Sequence, residues 1–298
     1  QNGVKEIFAN AGIAQELMKK NKILSSANSI NWGRLAPQII YYISSYVELV
    51  KNSEISFGDK INVVVPTGNF GNILAAYYAK QMGIPIGKLI CASNSNNVLT
   101  DFIRTGVYDR NREFMATISP SMDILISSNL ERLLYDMCGK DDEQISNWFN
   151  SLAKDGHYEV SDQVKTKLQE QFWAGYCDDD RTMRTITECF DKYSYLCDTH
   201  TAVALNVAND YVEQTGDRTK TIIASTASPY KFAPSVLKAL DPASQINNEF
   251  EMLDRIFEIS KLTIPSELSE LKDKEIRFKN TIEKDAMGDY VTDLLTKK

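Results

Sequence analysis

The sequence predicts an α/β fold built on an open, mostly parallel sheet with helices on both faces. Three observations predict it. Short apolar runs in DKINVVVPTG, GKLICASN and KTIIAS are continuous rather than alternating, as expected of strands covered on both sides. Stretches of helical periodicity separate these runs. The first run enters a loop holding Gly68 and Gly71 and then a helical stretch, so that strand, glycine loop, helix and strand form one βαβ unit.

Taken in order, residues 4–22 carry Val4, Ile7, Phe8, Ala11, Leu17 and Met18 at helical spacing. KILSSANS ends in turn formers. The stretch 32–52 places Leu35, Ile39, Tyr42, Ile43, Tyr46 and Leu49 on one face, and Pro37 lies early enough for a long helix. The first buried strand follows, then a helix from Asn72 to Gly83 and the second strand. Residues 127–155 and 160–174 read as mostly helical, and CDDDRT as a loop leading into a capped helix. DTHTAVALNVANDYVEQTGD reads as a helix capped by Asp198 or Thr199 and stopped by Gly216. The third strand runs into the small polar turn STASPYKF. Beyond residue 240 the chain is charged and helical, so residues 1–240 are expected to form the α/β core and residues 241–298 a helical appendage.

Composition narrows the function classes. The chain has 298 residues with 33 basic against 40 acidic side chains, a net charge of −7 that argues against a nucleic-acid or anionic-membrane partner. Its apolar runs are too short to span a bilayer. Five cysteines without a C-x-x-C pair and only two histidines argue against a zinc site, and point to reduced, buried thiols in a cytoplasmic protein.

In an open α/β sheet, ligands bind beyond the carboxyl ends of the strands. PTGNFGN and STASPYKF would both fall there, facing one crevice. A glycine loop before a helix presents outward N–H groups where the helix dipole is positive, which favours a phosphate. Gly68 and Gly71 permit close approach, and Asn69 and Asn72 add amide donors. The loop matches neither the triphosphate pattern G-x-x-x-x-G-K-[ST] nor the dinucleotide pattern G-x-G-x-x-G. On spacing alone, a purely geometric strand-to-helix turn is an equal reading.

SANSINWGRLAPQIIYY (26–42), VPTGNFGN (65–72) and IIASTASPYKF (222–232) together resemble threonine synthase, a fold type II pyridoxal-phosphate enzyme. The resemblance implies that Gly68, Asn69, Phe70, Gly71 and Asn72 cradle the cofactor's phosphate. It implies that Thr226, or alternatively Ser225, offers a hydroxyl to the pyridine nitrogen. It makes Arg34 the candidate for the substrate's own phosphate, with Asn28 and Ser29 at the mouth of the site. The implied reaction converts O-phosphohomoserine and water into threonine and phosphate, so the partner is a phosphorylated amino acid; an exposed sheet edge or apolar patch, if the sheet is incomplete, would in addition offer a surface for a homodimer.

The family's cofactor-bonding lysine should lie upstream of the glycine loop in an S/A-F-K-D segment. Lys5, Lys19, Lys20, Lys22, Lys51 and Lys60 do not sit in such a segment, and Lys231 belongs to another motif. The chain also opens on QNGVKEIF without methionine. Together these lead to the expectation of a C-terminal portion of a longer enzyme, with an incomplete sheet, exposed edges and no activity alone. The alternatives are another fold type II lyase or dehydratase, or a non-catalytic phosphate-binding module. His200 reads as a buried, hydrogen-bonded histidine rather than an acid–base group, and Tyr41 and Tyr42 as core rather than crevice.

Overall fold

A computed structural model describes residues 2–296, apart from the side chains of Asn2 and Lys5. Six strands occur among these residues: β1 (Ile61–Pro66), β2 (Ile86–Ser93), β3 (Val107–Asp109), β4 (His157–Glu159), β5 (Phe172–Tyr176) and β6 (Thr221–Ile223). Four of them form one sheet in the order β5-β2-β1-β6, with every pairing parallel. Val64 stands opposite Ile90 on one side and Ile223 on the other.

The continuous valine run is explained by burial on both faces. Val63 and Val65 face the main core, with Leu74 and Ala75 of the helix Gly71–Gln81 and Phe102 of the helix Val98–Thr105. Val64 faces the other way, toward Val203, Ala204 and Val207 of the helix Thr199–Thr215. Helices therefore cover both faces around β1, as its apolar run predicts, whereas the third run, expected to be a buried strand, forms the edge strand β6 and is only half-buried along its length. A third cluster joins the helices Asp179–Tyr193, Ala233–Leu240 and Glu249–Ser260 around Ile186, Val236 and Ile256. Farther along, the helix Met287–Thr296 returns against the helix Ala11–Lys19.

Four elements differ from the expectations. FWAGY, expected at the end of a helix, is strand β5, with Phe172 and Ala174 turned into the core beside β2. A five-residue strand directly after the helix Asp162–Gln171 shows too little alternation to be separated from it. Strands β3 and β4 pair antiparallel, Tyr108 opposite Tyr158, and neither was expected. The helical stretch near the start is two helices, Asn2–Ala9 and Ala11–Lys19, divided where Asn10 accepts from Gly12 and Ile13 N–H as an N-cap. Pro37 is tolerated as anticipated, in one 3-10 turn, Ala36–Gln38, between Trp32–Leu35 and Ile39–Lys51.

Candidate active site: a glycine-loop cleft

The cleft lies at the carboxyl end of β1. Thr67 N–H donates to Ala92 O at 2.8 Å and Thr67 Oγ1 to Val65 O at 2.7 Å, so the chain stays fixed to the sheet until Gly68. Beyond it the loop carbonyls are held from behind. Gly68 O accepts from Ser127 Oγ at 2.8 Å, and Asn69 O accepts from Asn129 N at 3.1 Å and Asn129 Nδ2 at 2.8 Å. In a trans peptide the N–H points opposite to the carbonyl, so these bonds aim the following N–H groups away from that support. None of the N–H groups from Gly68 to Ile73 finds an acceptor among the described residues. The helix Gly71–Gln81 has no side-chain N-cap, because Phe70 occupies the cap position with φ 62°. Donors without partners at a helix N-terminus, where the dipole is positive, make an anion site.

The left-handed backbone of Phe70 costs on the order of 1–2 kcal/mol for a residue bearing a Cβ. Its ring is 1% exposed and packs 5.9 Å from Phe172 of β5, and that burial offsets the strain. Gly68 and Gly71 have no room for a side chain. A Cβ on Gly68 would lie 2.5 Å from Ser121 O, and one on Gly71 would lie 2.5 Å from Ser29 Cβ and Oγ. The purely geometric reading of these glycines therefore explains their identity but not the unanswered N–H groups.

The cleft has a volume of about 300 Å³, and Ser29, Gly68, Asn72, Ser121, Thr226 and Lys231 are among its walls. Ser29 is held by Asn129 Nδ2 at 3.0 Å and by Arg132 Nη1 on its carbonyl at 3.1 Å. Asn72 Oδ1 accepts from the Tyr42 hydroxyl. Burial pushes that phenol well above its ordinary range and keeps it a donor, which leaves the Asn72 NH2 free of partners among the described residues. Tyr42 is buried and Tyr41 exposed, and both border a neighbouring cavity of about 490 Å³ that ends at Thr226.

On the far wall, Ser121 N–H donates to His200 Nε2 at 3.1 Å. The other ring nitrogen then carries the proton and donates to Asp198 Oδ1 at 3.1 Å. Asp198 is the N-cap of its helix and also accepts from the Thr201 hydroxyl. Burial alone would raise the Asp198 carboxyl, but its hydrogen bonds from His200 and Thr201 outweigh that and hold it below the usual range. His200 is thus a buried, fully hydrogen-bonded histidine that fixes Ser121 against the glycine loop. After β6, the Ser225 hydroxyl is within 3.2 Å of Tyr195 OH and 3.3 Å of Thr201 Oγ1. The Thr226 hydroxyl has no partner among the described residues and borders both cavities.

Not every anticipated site residue reaches the cleft. Arg34 is exposed on the short helix Trp32–Leu35 and does not line it. Asn28 is engaged in a turn, accepting from Ser26 Oγ at 2.8 Å and Ile30 N at 2.9 Å. Lys19, Lys20, Lys22, Lys51 and Lys60 are exposed and line no part of it, and the Lys5 side chain lies outside the described residues. Sequence reasoning missed the supports, Ser127, Asn129 and Arg132. The only signal for them is the small polar run ISSN ahead of a helical stretch, an N-cap pattern.

Comparisons with known proteins address the chain as a whole. The family description "Threonine synthase, C-terminal" matches residues 201–291. Human threonine synthase-like 1 is 48% identical over 242 residues, covering 80% of this chain and 32% of that protein. Threonine synthase of Saccharomyces cerevisiae is 35% identical over 301 residues, covering 96% of this chain and 57% of that protein. The crystal structure of PLP-bound threonine synthase from Brucella melitensis superposes with a TM-score of 0.79 at 31% identity, over 100% of this chain and 57% of that one. The yeast enzyme's crystal structure gives 0.79 at 32% identity, over 99% and 55%. The chain thus spans about a third of the first relative and just over half of the others. Its parallel sheet, covered on both faces, is the fold type II architecture of those threonine synthases. Motifs, fold and relatives converge, and the chain belongs to the threonine synthase family.

Proposed function

We propose that this chain forms the phosphate-binding side of a pyridoxal-phosphate lyase that converts O-phosphohomoserine and water into threonine and phosphate. The observation that carries the reading is the set of unanswered N–H groups from Gly68 to Ile73, on residues that line one cleft together with Thr226. The residues fit the cofactor. The loop N–H groups and the Asn72 amide would hold its phosphate, and Thr226 would meet the ring nitrogen. Pyridoxal phosphate, when bound, supplies the electron sink that acidifies carbons near the substrate's amino group. A neutral hydroxyl at the ring nitrogen leaves it less protonated than a carboxylate would.

The chain's own residues position and enclose. Ser29, tied to Asn129 and Arg132, closes the cleft beside Gly71. Ser121, tied to His200, closes it beside Gly68. Asn28 and Arg34 remain candidates at the outer rim, on the same segment as Ser29. None of the described lysines upstream of the loop lines the cleft, which supports placing the cofactor-bonding lysine outside this chain and expecting no turnover from the chain alone.

The test is phosphate release from O-phosphohomoserine, with pyridoxal phosphate added, by this chain beside a full-length threonine synthase. Release by the long enzyme and none by the chain is the expected result. Release by the chain would show that one of its own lysines bonds the cofactor. Binding of pyridoxal phosphate no tighter than that of pyridoxal would overturn the phosphate-cradle reading itself.

A further inference from the structure

We infer that Lys231 is the cation that receives the substrate's phosphate, opposite the glycine loop; the inference rests on the reading above. The glycine loop supplies one set of anion donors, through main-chain N–H groups. Lys231, in the turn Pro229–Phe232 after β6, supplies a second from another element of the same cleft. No carboxylate lines that cleft among the described residues. His200 is there too, but its Nε2 accepts from Ser121 and so contributes no positive donor. In a chain of net charge −7, a cleft that excludes carboxylates yet keeps a lysine selects for anions.

Lys231 also has no competing partner. Its side chain enters no ion pair among the described residues, and the one contact described for that side chain is with a ring, Nζ lying 5.6 Å from the centroid of Phe232. Phe232 packs 4.7 Å from the His200 ring, so the lysine stem rises from a wall that is itself fixed. The ammonium is held near the cleft and is free to meet an incoming charge. Arg34, the residue favoured by its motif, does not line the cleft.

Two anion-binding elements suit two anionic groups. The loop takes the cofactor's phosphate, and Lys231 takes the phosphate ester of the amino-acid substrate. An ammonium there also offsets negative charge as the Cγ–O bond breaks and the phosphate oxygen keeps the electron pair. An amino acid without the phosphate would gain nothing from Lys231.

Two titrations test this, on the wild-type chain, Lys231→Met and Lys231→Arg. In the first, the probe is inorganic phosphate alone, followed by its phosphorus resonance. Two phosphates bound by the wild type and one by Lys231→Met are expected. A single site in the wild type, or no loss in Lys231→Met, overturns the inference whether or not pyridoxal phosphate binds. In the second, pyridoxal phosphate and then O-phosphohomoserine or homoserine are added. Lys231→Met should weaken O-phosphohomoserine binding by roughly tenfold to a hundredfold, the scale of one charge-assisted hydrogen bond. It should leave pyridoxal phosphate and homoserine within twofold of wild type, and Lys231→Arg should recover most of the loss. A matching loss of pyridoxal phosphate would assign Lys231 to the cofactor's phosphate and overturn the inference while leaving the cofactor reading intact. Failure of every variant, wild type included, to bind pyridoxal phosphate would sink the cofactor reading alone.

Discussion

Replacing Gly68 by alanine tests the proposed phosphate cradle with one methyl group. The new Cβ would stand 2.5 Å from Ser121 O and 3.2 Å from Met122 Cα, both backbone atoms. Ordinary contact needs about 3.5 Å, so the loop or the wall must retreat by about 1 Å. Retreat of the wall strains the bond from Ser121 N–H to His200 Nε2. Retreat of the loop strains the one from Ser127 Oγ to Gly68 O. Overpacking of this kind costs roughly 1–3 kcal/mol, and the N–H groups lose their common aim. The expected result is a thermal midpoint lower by about 2–6 °C and pyridoxal-phosphate affinity lower by roughly 10- to 100-fold. Differential scanning calorimetry and cofactor absorbance titration measure the two effects. Gly288→Ala is the control, since its Cβ would meet only Ile13 Cδ1 at 3.7 Å; it should leave cofactor affinity unchanged and, as an exchange within the helix Met287–Thr296, should not lower the midpoint. Unchanged cofactor affinity in Gly68→Ala would refute the argument that close backbone approach at this glycine creates the anion site.

Other outcomes follow from the same contacts. Thr226→Val should alter the absorbance and affinity of bound pyridoxal phosphate, while Ser225→Ala, which removes a hydroxyl facing Tyr195 and Thr201, should affect mainly stability; the reverse pattern would reassign the pyridine contact. Asp198→Ala strips a buried N-cap and leaves the donors of His200 and Thr201 unanswered, so a loss of about 2–4 kcal/mol in chemical denaturation is expected. The folded-state titration of Asp198 lies below its unfolded value, so its contribution is complete at neutral pH and fades as pH falls through the depressed folded-state titration; the stability gap between wild type and Asp198→Ala should narrow in acid. Burial pushes the thiols of Cys91 and Cys177 up to about 12 and about 11, so mild alkylation at neutral pH should mark the half-buried Cys138 first, as peptide mapping would show.

The parts of this molecule legible in the sequence are those whose signals are local. Val63 to Val65 announce a doubly covered strand because burial on both faces removes the need for polar residues. Gly68 and Gly71 announce a loop because close approach leaves no other choice. Asp198 caps its helix as its position suggested. What stayed hidden depends on residues meeting across long stretches of chain. Val107 pairs with Glu159 across a gap that no short pattern spans. Asn129 supports Asn69, and Arg132 holds Ser29 and Ile30, only because the helix Leu130–Met137 docks beside the glycine loop. Arg34 and Lys231 make the same point as a pair. Motif context favoured the arginine, yet its side of the short helix faces solvent, and the lysine after β6 lines the cleft.

Strand β6 is three residues long, pairs on one side only and is half-buried along its length, whereas β1 is wholly buried between two neighbours. The two walls of the cleft therefore differ in how readily they open. Amide hydrogens of β1 are set to exchange only through near-global unfolding, while those of β6 are released by a small local opening. Thr226 follows the looser element and Gly68 the tighter one, while Lys231 stands on the separate packed turn Pro229–Phe232. The cleft can admit a ligand by yielding on one side without disturbing the donors on the other, and any occupant that touches both walls should slow exchange in β6 first.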